Sequence, residues 1–275
     1  MLELANFSQR LYRRDDGIWY VPSKSAVSYP DDGNRLCAEL ESSSFWFEHR
    51  NKCIVALVNT LPPQDKVLFD VGGGNGFVAT ALQLAGYEPV MVEPGELGAG
   101  AAFARGINHV ICSTMQDAGF EQASLPAVGL FDVVEHIDDD LAFMMEVNQL
   151  LRPGGRVYAT VPAYQWLWSD ADIEAGHFRR YTIGSMTALL TASGFTVDYA
   201  SYMFRFLPLP TLLLRALPAR LGLRRDMGQV QQDHAAGGRR SRAWLDGLLA
   251  PEVDHVRHLR PMLIGGSCLV AATKC

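Results

Sequence analysis

Residues 69–77 read FDVGGGNGF, with Gly72, Gly73, Gly74 and Gly76 behind an aspartate that closes the apolar run KVLFDV. Ordering glycine costs more backbone entropy than ordering any other residue, so this density predicts a place where bare backbone must come close to a ligand. A glycine-rich turn between a strand and a helix holds a nucleotide-like molecule at the carboxyl edge of a parallel sheet. The dinucleotide spacing G-x-G-x-x-G/A is not met, because Gly72-x-Gly74-x-x arrives at Phe77. What stands there is Asp70-x-Gly72-x-Gly74-x-Gly76, an acid two residues ahead of three alternate glycines. Two further stretches carry chemistry-bearing side chains. SSSFWFEHRNKCI (42–54) sets Trp46 and Arg50 four apart, hence on one face of a helix. PAYQWLWSDADIEAGHFRRYT (162–182) is too aromatic for a linker and too irregular for one helix, which predicts a functional loop.

The elements that would position these residues alternate from residue 66 onward. Strands are expected at 66–71, 88–94, 109–113, 127–135 and 156–162, and helices at 77–86, 96–106 and 138–155, the last stopped by Pro153-Gly154-Gly155. This rhythm is that of a doubly wound α/β domain. A helix at 182–195 and strands at 196–203 and 266–274 complete the pattern, and a helix is expected at 45–61 ahead of it. Four regions follow: an N-terminal extension or cap (1–65), a core (66–203), an insertion (204–265) and a last core strand (266–275).

The spacing at Asp70 resembles motif I of the class I S-adenosylmethionine (SAM) dependent methyltransferases, small-molecule-methylating members in particular. The resemblance continues with Glu93 in VMVEPG, Asp117 in STMQDAGF, the segment GLFDVVEHIDDD and the segment LLRPGGRVYATVP. It implies a Rossmann-like seven-stranded sheet with an antiparallel last strand, and SAM as cofactor. Asp70 would then face the amino group of SAM, Glu93 its ribose hydroxyls and Asp117 its adenine amino group, with Gly72, Gly74 and Gly76 letting the backbone approach. Pro94, Met115, Gln116 and Phe131 would line the same ligand, and Trp46 and Arg50 would cover it. The motif assigns no task to Gly73.

Methyl transfer to oxygen or nitrogen needs an aligned acceptor and, for a hydroxyl, a proton acceptor, for which the resemblance offers His136 and His177. Tyr164, Trp166, Trp168, Arg179, Arg180 and Tyr181 fall where such enzymes build the acceptor pocket. No metal is expected: the five cysteines are scattered without a CxxC pair, which also argues against a disulfide framework and for a reducing cytoplasm. The N-terminus lacks the apolar run of a signal peptide.

Residues 1–200 hold 25 acidic against 13 basic residues, which would repel nucleic acid, whereas residues 201–260 hold ten arginines against five acids. The run FRFLPLPTLLLRALPARLGL (204–223) is apolar but broken by three prolines and three arginines, so it should not span a bilayer. A lid, a homodimer contact and a peripheral contact with anionic lipid stay open for it, and 227–244 is expected to be a loop. The competing readings are a non-catalytic SAM-fold binding protein and an NAD(P)-dependent oxidoreductase, the latter opposed by Phe77.

Overall fold

The structure, a computed structural model, describes residues 2–23, 44–222 and 239–275, the side chains of 239–246 excepted. Its centre is the run β3 (Val67–Val71), in which every residue is buried. A strand covered on both faces needs such an unbroken apolar run, and β6 (Leu125–Phe131) shows the same pattern. Leu68 packs on one side with α1 (Phe45–Thr60) and α2 (Phe77–Leu84), while Phe69 packs on the other with α4 (Asp140–Leu150) and α6 (Ile183–Ala192). Helices therefore clothe both faces, as the alternation predicts.

The remaining strands are β4 (Glu88–Val92), β5 (His109–Cys112), β7 (Leu151–Pro162), β8 (Phe195–Met203) and β9 (Ser267–Lys274), with α3 (Glu96–Ala104) between β4 and β5 and α5 (Asp170–Glu174) after β7. Neighbours run β5-β4-β3-β6-β7-β9-β8, all parallel except β9, which is antiparallel to both β7 and β8. The chain leaves β3 toward β4 and later returns to β6 on its other side. That reversal opens a crevice at the carboxyl ends of these strands, where open α/β sheets bind ligands.

Among the described residues the sheet has nine strands rather than seven. Two short strands, β1 (Tyr12–Arg13) and β2 (Trp19–Tyr20), form an antiparallel hairpin whose second strand pairs in parallel with β5. Runs of two residues are too short to show a period of two, so they escaped the reading of the sequence. The strand expected over 127–135 stops at Phe131 because Asp132 takes a left-handed conformation (φ 60°). The helix expected to reach 155 ends at Leu150, and the Pro153–Gly155 segment belongs to β7.

The insertion also differs from expectation. Residues 239–244, read as loop, begin the helix α7 (Arg239–Arg257), whose Leu249, Val253 and Val256 pack with Ile54 and Leu57 of α1. The rest of that expected loop, 227–238, lies outside the described residues. A helical run over 208–220 precedes it, built from Pro208–Thr211, Leu212–Ala216 and Leu217–Arg220. No described helix is long and apolar enough to cross a membrane.

One carboxylate fastens α7, α1 and the end of β8 together. Glu252 is buried, accepts from the backbone N–H groups of Phe204 (2.7 Å) and Arg205 (2.9 Å), and lies 3.0 Å from His49 Nε2. Burial opposes its charge, but these hydrogen bonds prevail and hold its pKa below the usual 4.5. A carboxyl depressed in this way stabilises the fold above its unfolded pKa and loses that contribution as pH falls through the folded one. Glu252→Gln should cost about 2 kcal/mol at pH 7, since buried donors lose a charged acceptor. Urea denaturation should show the gap to the parent protein narrowing below about pH 4.5.

Candidate functional site

The glycine turn leaves β3 with Gly72 at φ 69°, and a Cβ there would lie 2.8 Å from Val133. Gly73, left without a task by the motif, has no room either: a Cβ would come within 2.7 Å of Met91 and 3.1 Å of Asp70 Oδ2. Gly76 differs from its neighbours. It precedes α2 at φ 78°, and a Cβ there would lie 2.8 Å from the Cβ of Ala102 in α3, so it serves packing and lies outside the cavity lining.

Gly72 and Gly74, with Asp70, line a cavity of about 800 Å³ at the carboxyl edge of the sheet. Asp70 is 1% exposed and its Oδ2 has no hydrogen-bond partner. Burial pushes its pKa up to about 7, the nearby Arg50 working against the shift and Glu93 adding to it. Glu93 directly follows β4 and turns its carboxylate back on the chain, accepting from Gly74 N–H and Gly95 N–H, both at 2.9 Å. Pro94, Met115, Gln116 and Phe131 line the same space. Asp117 does not: it sits in the single turn Met115–Ala118, where the Thr114 hydroxyl accepts from its N–H and points the turn along the cavity wall.

The front wall comes from α1, capped by Ser44, whose hydroxyl accepts from Trp46 N–H. Trp46 and Arg50 both line the cavity. The Trp46 ring stacks on Phe204 at 5.5 Å, and the Arg50 guanidinium lies over Trp46 and Phe47, 5.0 and 5.2 Å from the ring centroids. Arg50 reaches across to ion-pair with Asp132, just past β6.

The far end is built from the turn after β6 and the loop after β7. Glu135 is 1% exposed with Oε2 unpartnered, and burial, reinforced by Asp132, raises its pKa well above normal. His136 follows it, and its ring meets that of His177 edge-to-face at 4.8 Å between centroids. Burial, then the neighbouring His177, lowers the His136 pKa to about 4, so its imidazole is neutral at pH 7. His177 is held through Nδ1, 3.0 Å from Asp172 Oδ1. Arg180 grips the same buried Asp172 with two hydrogen bonds of 2.7 and 3.0 Å. Burial alone would raise Asp172, but the bonds from His177 and Arg180 outweigh it and bring it down to about 2.

Of the six residues expected in the acceptor pocket, Arg180 lines the cavity and the other five stand outside its lining. Tyr164 is stacked between Trp166 (5.1 Å) and Tyr202 (4.9 Å). The Tyr181 hydroxyl donates to Asp140 (2.8 Å), and Arg179 pairs with the same carboxylate (2.8 Å). These contacts fold the loop onto α4 and β8, and Trp168 is half-buried within it. The sequence reading did not single out Asp132, Glu135 or Asp172. The available signal was the run D-x-x-E-H directly after an apolar strand, at the sheet edge where ligands bind.

A doubly wound sheet with an acid-lined cavity at its switch point has the architecture in which open α/β sheets hold their ligands. A family profile described as "Methyltransferase domain" matches residues 46–200, and the chain belongs to that family. A Mycolicibacterium smegmatis protein named "Probable S-adenosylmethionine-dependent methyltransferase" is 24% identical over 175 residues, 62% of this chain and 66% of that one. The chain thus spans slightly less than two thirds of that relative's length. Among solved structures, the Haloferax volcanii chain in complex with the Trm112 methyltransferase activator is similar over 90% of this chain and 99% of its own, at 15% identity and TM-score 0.58. Haemonchus contortus phosphoethanolamine N-methyltransferase 2, with phosphomonomethylethanolamine and S-adenosylhomocysteine, is similar over 90% of this chain and 58% of its own, at 16% identity and TM-score 0.56.

Asp70 supplies a prediction of its own. Its carboxyl keeps a proton to about pH 7 in the folded protein but gives it up near 3.8 when unfolded, so it withdraws stability as pH rises through that interval. Asp70→Asn should remove this slope and gain up to about 2 kcal/mol over the parent at pH 8. Urea midpoints of the ligand-free proteins at pH 5 and pH 8 measure it.

Proposed function

We propose that the protein is a SAM-dependent methyltransferase acting on an oxygen or nitrogen of a small-molecule acceptor. The observation that carries this reading is one cavity lined by two chemically different groups of residues: Asp70, Glu93 and the glycine turn, and His136, His177 and Arg180.

Asp70 holds a buried, unpartnered carboxylate oxygen, which suits an ammonium group and would repel a pyrophosphate. Glu93 places its carboxylate in the cavity wall, held by the backbone N–H groups of Gly74 and Gly95, and a carboxylate is an acceptor that suits hydroxyl donors. Met115 and Phe131 offer apolar surface to a base. SAM supplies a methyl carbon activated by its sulfonium, so the protein's task is alignment and proton management.

The chain's own residues divide that task. Trp46 and Arg50 close the front of the cavity, and Leu207, Pro210 and Leu214 of the insertion close the acceptor side, which favours a lid role for 204–223. His136 and His177 are the neutral or orientable imidazoles at that side, available to take a proton from an acceptor hydroxyl. Arg180, neutralised by Asp172, stiffens the loop that carries His177. A volume of about 800 Å³ lies in the upper part of the range for small-molecule sites, room for a cofactor and an acceptor side by side.

Calorimetric titration with S-adenosylhomocysteine should show one binding event. Glu93→Ala and Asp70→Ala should each weaken it at least about tenfold, the worth of one charge-assisted hydrogen bond. Affinity should also fall as pH drops below about 7, because Asp70 must ionise to meet the ammonium. Absence of binding by the parent protein would overturn the reading.

A further inference from the structure

Glu135, His136 and His177 each offer one ligand atom, and the three atoms lie within 4.8 Å of one another. They come from two segments held in fixed relation, since Phe178 N–H donates to the Glu135 backbone carbonyl at 2.8 Å. His177 lines the cavity and is anchored through Nδ1, 3.0 Å from Asp172 Oδ1, and the His136 ring is hydrogen-bonded to the backbone of Ala175 and Gly176. A carboxylate or carbonyl behind each imidazole is the outer-shell support that metal-bound histidines use to fix tautomer and direction. Glu135 completes the set with a buried oxygen that finds no partner in the protein.

We propose that Glu135, His136 and His177 form a binding site for a divalent first-row transition metal ion at the acceptor end of the cavity. Two imidazoles and one carboxylate suit zinc, cobalt, manganese or iron, whereas magnesium prefers an all-oxygen shell. Ligand atoms around a tetrahedral ion stand roughly 3.3 Å apart, given bonds of about 2.0–2.2 Å. The widest separation here therefore closes by about 1.5 Å, within reach of side-chain rotation in a half-buried loop. Asp132 beside Glu135 adds negative charge that favours a cation, although Arg50 already meets it. Three ligands leave positions open toward the cavity, where an acceptor hydroxyl would be polarised and its proton passed to solvent. The ion would then perform the task otherwise left to an imidazole. Binding rests on these side chains alone; the role of the ion rests on the methyltransferase reading.

The test uses the full chain without a polyhistidine tag, stripped with chelator. Cobalt is added while the visible spectrum is followed, and zinc is titrated by calorimetry. One equivalent of each should bind, unopposed by millimolar magnesium. Glu135→Gln and His177→Gln should abolish stoichiometric binding, and Asp172→Asn should weaken it about 10–100-fold by loosening His177. S-adenosylhomocysteine affinity of the same variants, with their thermal unfolding, checks that they are folded. No stoichiometric binding by the parent protein, or binding unchanged in Glu135→Gln and His177→Gln, overturns the site. Metal binding without S-adenosylhomocysteine binding would instead sink the cofactor reading and leave the metal site standing.

Discussion

Four carboxylates, Asp70, Glu93, Asp132 and Glu135, converge on one cavity at the end of a buried sheet, and everything around it is arranged to make that tolerable. Isolated charges in such a place would cost several kcal/mol each. The four acids meet three different solutions. Glu93 spends its charge on two backbone N–H groups, Asp132 meets Arg50, and Asp70 and Glu135 have raised pKa values that favour their protonated forms. The first two acids are thereby tied to other groups of the chain, while the other two each keep a buried carboxyl oxygen without a partner.

That division explains why α1 is part of the site. Arg50 is buried, stacked against Trp46 and Phe47, and paired across the cavity with a residue at the end of β6. Asn51 Nδ2 donates to the Phe77 carbonyl at the start of α2, and Glu252 ties the same helix to α7. The front wall is thus fixed by polar contacts at three points, in addition to the apolar packing of Ile54 and Leu57.

Much of this was legible in the sequence, and the reasons are local. The glycine spacing, the acid following β4 and the alternation of buried strands with helices are patterns of a few consecutive residues, so the doubly wound core could be read directly. The acceptor-side loop could not. Its aromatics and arginines carry the composition of a pocket, yet Tyr164, Tyr181 and Arg179 are consumed by Tyr202 and Asp140, partners 38 to 41 positions away. Glu135 directly precedes His136 and Asp172 stands five residues before His177, so distance did not hide them; what marks them is their burial, which the order of residues does not show. Asp117 and Gly76 fitted the motif by position, but a one-turn helix and a tight helix–helix approach give them other surroundings.

The small hairpin at the start of the chain has a consequence for how molecules of this protein meet one another. An open sheet offers unpaired backbone along its outermost strand, which invites another chain to add on. Trp19 and Tyr20 occupy that position beside Ile111 and Cys112 of β5, and β1 then covers them with only two residues of its own. Among the described residues this flank of the sheet therefore ends in a strand of two residues, which leaves little backbone for a further strand to pair with.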